Sequence, residues 1–140
     1  MGKKKALVKK RKKRTPLAII KDKLWDLCKV YIRKRYPNNC YTCDAKNIVG
    51  VNCQTGHFIP SVLCPFILNY HPMNLRLQCM RCNKWAGGNG SQFYLNLVNA
   101  HGQGYVDDLF EMKKQPRTKL TIKDYEEYID LYKQLIKELP

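Results

Sequence analysis

Apolar residues recur at helical intervals at both ends of this chain and lose that rhythm in between. In "TPLAIIKDKLWDLCKVYIRKRYP", Leu17, Ile20, Leu24, Leu27, Tyr31 and Ile32 are spaced to line one side of a helix. Thr15 suits an N-cap, Pro16 the first helical position, and Pro37 stops the pattern, so a helix is predicted over 15–36. The clearest periodicity is in "LTIKDYEEYIDLYKQLIKEL", with Thr121 as N-cap and Ile122, Tyr125, Ile129, Tyr132 and Ile136 on one face. Two shorter helices are expected before it: "SQFYLNLVNAHG", capped by Ser91 and closed by Gly102, and "GYVDDLFEMKK". Residues 91–140 thus read as C-terminal helices.

Residues 40–90 obey a different logic. Turn formers and short β-prone runs such as "NIVGV" separate two cysteine pairs, "CYTC" (Cys40, Cys43) and "CMRC" (Cys79, Cys82), which lie 35 residues apart. A CxxC turn sets two thiolates on one side of a knuckle, and two knuckles complete a tetrahedral four-sulfur shell for Zn²⁺. The remaining Cys28, Cys53 and Cys64 fit the role of small buried hydrophobes.

Charge narrows the partner. The chain has 26 Lys+Arg against 11 Asp+Glu, a formal charge of +15, and nine of those cations lie in the acid-free arm 1–14, leaving the rest at +6. An excess spread beyond one run suits a polyanion, although the arm alone would equally suit a solvated tail or a localisation signal. No apolar stretch reaches the ~18 residues of a membrane span, and no apolar segment follows the N-terminal cations as in a secretion signal. A cytoplasmic protein with one domain behind a basic arm is expected, with no membrane partner.

Between the knuckles, "GHF" supplies His57, "PMNL" supplies Asn74, and Asn83 directly follows the last cysteine. This order is that of HNH nucleases, a ββα-metal fold in which two short strands and a helix carry the site. The fold class expected is therefore α+β, a small zinc-stabilised ββα core flanked by helices. "CYTC", "QTGHFIP", "MNLRLQCMRCN", "AGGN" and "HGQGYVDDL" resemble the phage NinG (Rap) family of recombination endonucleases over residues 15–138, most strongly over 40–110. The basic arm falls outside that likeness.

The resemblance implies a metal-dependent, nicking or branch-cutting DNA endonuclease in the host-cell cytoplasm. Its motif falls on His57, Asn74 and Asn83, with Gln54, Gly88 and Asn89 also matching. Phosphodiester hydrolysis needs a base for water and charge neutralisation at phosphorus and the departing 3′ oxygen. Neutral His57 suits the first task, and Mg²⁺ or Mn²⁺ the second. Asn83 would offer an oxygen to that ion, Asn74 would brace the loop, and Gln54 is the nearest further oxygen. Many HNH proteins carry Asp directly before the histidine as an ion ligand; here the residue is Gly56.

Lys9, Lys10, Arg11, Lys12, Lys13, Arg14, Arg76, Arg81 and Lys84 are the expected DNA contacts. Trp85 is expected to pack on a helix face or wedge into an unstacked junction, and His71 and His101 to lie at the surface. Symmetric junction cutting would call for a homodimer, whereas a nickase works as a monomer. Two other readings share the charge and the cysteines: a zinc-stabilised DNA-binding protein that cuts nothing, and a basic RNA-associated zinc protein.

Overall fold

Thr15 opens the first helix by accepting a hydrogen bond from the Ala18 amide at 3.2 Å, and Pro16 follows at its first turn. The computed structural model describes residues 2, 8 and 10–140. In chain order it has α1 (Pro16–Arg35), β1 (Gln54–His57), a short α2 (Phe66–Asn69), β2 (Leu75–Gln78), one wide helical turn (Arg81–Trp85), α3 (Gly90–His101), α4 (Gln103–Lys113) and α5 (Ile122–Glu138). The two strands pair antiparallel, Gln54 opposite Gln78 and His57 opposite Leu75. The class is α+β, with most of the mass in helices.

Two apolar clusters hold the hairpin. Leu24, Cys28 and Ile32 of α1 pack with Tyr125, Ile129 and Tyr132 of α5 and with Leu75 and Leu77 of β2. Phe58 and Ile59, directly after β1, pack with Phe93 and Leu97 of α3 and Val106 and Leu109 of α4. Each such side chain contributes ~1.5–3 kcal/mol on burial, so the helices supply the core that the short strands lack. Thr121 and Asp124 form a reciprocal capping box at the start of α5.

Several expectations need correction. Helix α3 starts at Gly90 behind Asn89, whose left-handed φ of 50° turns the chain, so Ser91 lies inside the helix rather than capping it. "NIVGV" forms no strand: Asn47 and Gly50 have positive φ, and a 3₁₀ turn follows at Gly50–Asn52. Leu17 and Ile122, the outermost members of their apolar faces, are exposed. Trp85 packs on nothing substantial, with 79% of its surface free. Among the described residues, no helix is long and apolar enough to cross a membrane.

Candidate functional site

The knuckles meet as their spacing predicts. One sulfur from each of Cys40, Cys43, Cys79 and Cys82 falls within 4.8 Å of the others. Cys43 and Cys79 sulfurs are 3.7 Å apart, against ~3.8 Å for two thiolates sharing a tetrahedral Zn²⁺ with 2.3 Å bonds. Burial drives Cys43 up to about 12. Burial also pushes Cys40 upward, but hydrogen bonds at the Cys79 and Thr42 main chain and the Thr42 hydroxyl outweigh it and leave Cys40 at about 6. The cluster therefore has a ready thiolate and the geometry for one structural zinc. Cys28, Cys53 and Cys64 are buried elsewhere, as small hydrophobes.

His57 ends β1, and three contacts define its state. Its Nε2 lies 2.9 Å from the Asn69 carbonyl oxygen. A carbonyl only accepts, so Nε2 carries the proton and Nδ1 keeps its lone pair. The Trp25 indole stacks on the ring at 5.3 Å and 8°, fixing its plane. Burial lowers the imidazole pKa, against the Asn69 hydrogen bond, so the neutral form prevails near pH 7.

Asn74 is wholly buried and braces the loop between the strands. Its Oδ1 accepts from the Ile59 amide at 2.8 Å, and its Nδ2 donates to the Ile59 and Leu68 carbonyls at 3.1 and 3.2 Å. With both ends of the carboxamide occupied by main chain, Asn74 is a scaffold residue.

Asn83 sits in the wide turn, where the Ala86 amide donates to the Arg81 carbonyl five residues back. Its Nδ2 donates to Gln54 Oε1 at 2.8 Å, and Gln54 Nε2 donates to the Val51 carbonyl at 2.9 Å. Gln54 thus aims Asn83, with its own oxygen engaged, rather than standing free as an ion ligand. A cavity of about 470 Å³ opens beside them, lined by Trp25, Lys29, Arg33, Gln54, Asn83 and Lys84 among others. His57 is not in that lining; it touches the cavity through Trp25.

The basic residues divide. Arg81 and Lys84 are exposed, as are Lys10, Arg11, Lys12 and Lys13, while Lys9 lies outside the described residues. Arg14 is tied to Asp22 and to the Ala18 carbonyl at the start of α1. Arg76 is not a surface contact: it is 1% exposed, beneath the Tyr36 ring at 4.7 Å, and donates to Tyr105 Oη and His101 Nε2 at 2.9 and 3.1 Å. His101 accepts that bond while stacked on Tyr105 at 4.3 Å. His71 is half-buried, its Nδ1 accepting from the Met73 amide at 3.2 Å. Sequence reasoning missed Trp25, Asn69 and Gln78, of which only Gln78 leaves a trace: a polar residue in "LRLQ", all four positions of which are buried.

Hairpin, cysteine cluster and helical cover together define an α+β protein with a zinc-type centre. A family model described as Bacteriophage Lambda NinG protein matches residues 2–140, and the chain belongs to that family. The match runs through the basic arm, beyond the 15–138 over which the motifs carried the likeness. No curated protein and no solved structure matches the chain.

Proposed function

We propose that this protein is a metal-dependent DNA endonuclease of the HNH type, with His57 as general base and the hairpin plus the Arg81–Trp85 turn as its ββα unit. One observation carries the reading: His57 Nε2 is committed to the Asn69 carbonyl at 2.9 Å, which leaves Nδ1 as an oriented, unprotonated lone pair. A merely structural histidine has no need of a defined unprotonated nitrogen on a ring that is not fully buried.

In the reaction, Nδ1 takes a proton from water as its oxygen attacks phosphorus in line. The bond to the 3′ oxygen breaks, giving a 5′ phosphate and a 3′ hydroxyl. Trp25 holds the imidazole plane, and Lys29, Arg33 and Lys84 offset phosphate charge at the cavity. A bound Mg²⁺ or Mn²⁺ would supply Lewis acidity at the phosphate and the leaving oxygen. Asn83 is suited to hold it, because its Nδ2 donates to Gln54 Oε1 and leaves Oδ1 turned toward Gly56. The exposed arm from Lys10 to Lys13, with Arg81 and Lys84, suits sequence-independent backbone contact.

A second reading, a zinc-stabilised DNA binder that cuts nothing, draws support from the cavity lining, which contains no carboxylate. Plasmid and branched DNA incubated with zinc-loaded protein and Mg²⁺, Mn²⁺ or chelator separate the two. The nuclease reading expects ion-dependent cutting that falls by ~10²–10⁴ in His57→Ala while binding persists. Unchanged cutting in His57→Ala removes this base; no cutting by folded wild type favours the binder.

A further inference from the structure

Gln78 is fully buried at the end of β2, and its side chain is held from one end only. Nε2 donates to Thr42 Oγ1 at 2.9 Å and to the Gly88 carbonyl at 2.8 Å. The Gly88 carbonyl cannot donate, so the nitrogen must face it and the oxygen must face the other way. That oxygen, Oε1, is buried with no hydrogen-bond partner among the described residues. An orphaned buried acceptor is costly, and a water or a cation absent from the chain itself would satisfy it.

The oxygen points over Gly56. A Cβ placed on Gly56 would lie 1.8 Å from Gln78 Oε1 and 3.1 Å from Asn83 Oδ1, so both oxygens border the space into which a side chain at position 56 would project. The polarity of Asn83 is fixed by the same logic. The Val51 carbonyl demands the Gln54 nitrogen, which presents Gln54 Oε1 to Asn83 Nδ2 and leaves Asn83 Oδ1 toward Gly56. Two carboxamide oxygens, each turned by a main-chain carbonyl, are thus gathered where an acidic side chain at position 56 would reach.

We propose that Gln78 Oε1 and Asn83 Oδ1 are paired donors to a divalent cation of the Mg²⁺/Mn²⁺ class, Gln78 standing in for the missing acid before His57. This inference rests on the nuclease reading and names a ligand that reading lacks. Hard cations take oxygen donors, with water and phosphate completing the shell. Because both protein donors are neutral, the ion draws its anionic ligands from the DNA, and ion and DNA strengthen each other's binding.

The test is an electron paramagnetic resonance titration of Mn²⁺ into full-length, zinc-loaded protein, with and without a DNA duplex. One site is expected, tighter with DNA, and weakened at least ~10-fold in Gln78→Ala and in Asn83→Ala. In Gly56→Asp/Gln78→Ala the carboxylate enters the vacated space and should restore binding to wild-type strength or better. Gln78→Met fills the same space without an oxygen donor and should weaken Mn²⁺ binding to the same degree; it serves should the alanine variant not fold. Wild-type Mn²⁺ affinity in folded Gln78→Ala or Gln78→Met overturns the proposal. Gln78-dependent Mn²⁺ binding without any DNA cutting would leave this site standing and remove the nuclease reading. Mn²⁺-dependent cutting with Gln78-independent binding would do the reverse.

Discussion

Replacing Asn74 by alanine tests whether this member of the motif is scaffold or chemistry. The change strips three main-chain groups of a partner, but not equally. The Ile59 carbonyl keeps the Cys64 thiol at 3.1 Å, and the Leu68 carbonyl keeps the His71 amide at 3.3 Å. The Ile59 amide, bonded to Asn74 Oδ1 at 2.8 Å, has no second partner among the described residues. One stranded donor costs ~1–3 kcal/mol and each weakened carbonyl roughly 0.5–1 kcal/mol, so a loss of about 3 kcal/mol is expected. With a urea slope of ~2 kcal/mol per molar, the unfolding midpoint of zinc-loaded protein should fall by about 1.5 M. The control is Asn74→Asp, which keeps the acceptor but sets an anionic oxygen against two carbonyls. Its folded pKa is raised, so its stability should be greatest below the ordinary carboxyl value and fall as pH rises through the folded one. A midpoint for Asn74→Ala within ~0.3 M of wild type, with DNA cutting abolished, would refute the scaffold assignment.

Two further outcomes follow from the same structure. Chelating the zinc, or changing Cys79→Ser, should abolish the cooperative unfolding transition of the hairpin region, since structural zinc carries ~10–16 kcal/mol of folding energy; a transition unmoved by chelator in circular dichroism would show that the cysteines hold no such ion. Burial first, then the charges of Arg76 and Arg35, lowers the His101 pKa. The stability this residue carries is complete above the ordinary imidazole value of ~6.5 and is lost as pH falls through the folded value. His101→Gln, which can still accept from Arg76, should flatten the acid-side loss in urea unfolding, and an unaltered pH profile would count against this role.

What the sequence discloses here is what local chemistry governs. Thr15 and Thr121 cap their helices through bonds to residues three positions on, and each CxxC knuckle closes within four residues. Order along the chain also tracks the hairpin, with His57 ending β1 and Asn74 one residue before β2. Arg76 shows where such reading stops. Taken alone it is a cation near a DNA-binding motif. In the fold it lies among Tyr36 and Tyr41, at the first knuckle, and Tyr105 of α4, and their π faces with the Tyr105 hydroxyl accommodate a charge that no carboxylate among the described residues pairs with. Trp25 escaped notice for the same reason: it reads as one more residue of an amphipathic helix until α1 docks and lays it on His57. Trp85 errs the other way, an aromatic that burial statistics would tuck inward and that instead stands in solvent beside Lys84.

The proposed ion donors gain their precision from the cysteine cluster. Gln78 directly precedes Cys79, and Asn83 directly follows Cys82, so the second knuckle is the bridge between the two oxygens. Asn89, past the turn, donates to the Cys82 sulfur at 3.7 Å and to the Thr42 carbonyl at 3.0 Å, tying the far side of the site to the first knuckle. Thr42 in turn accepts from Gln78 Nε2, so the first knuckle helps set the direction of Gln78 Oε1. A structural zinc bound here would therefore fix both the separation and the orientation of donors that it never touches. Metal substitution at the cysteines should then be felt at the other site: Cd²⁺, whose bonds to sulfur are longer than those of Zn²⁺, widens the knuckle and so spreads Gln78 and Asn83, changing Mn²⁺ affinity even though every oxygen donor is intact.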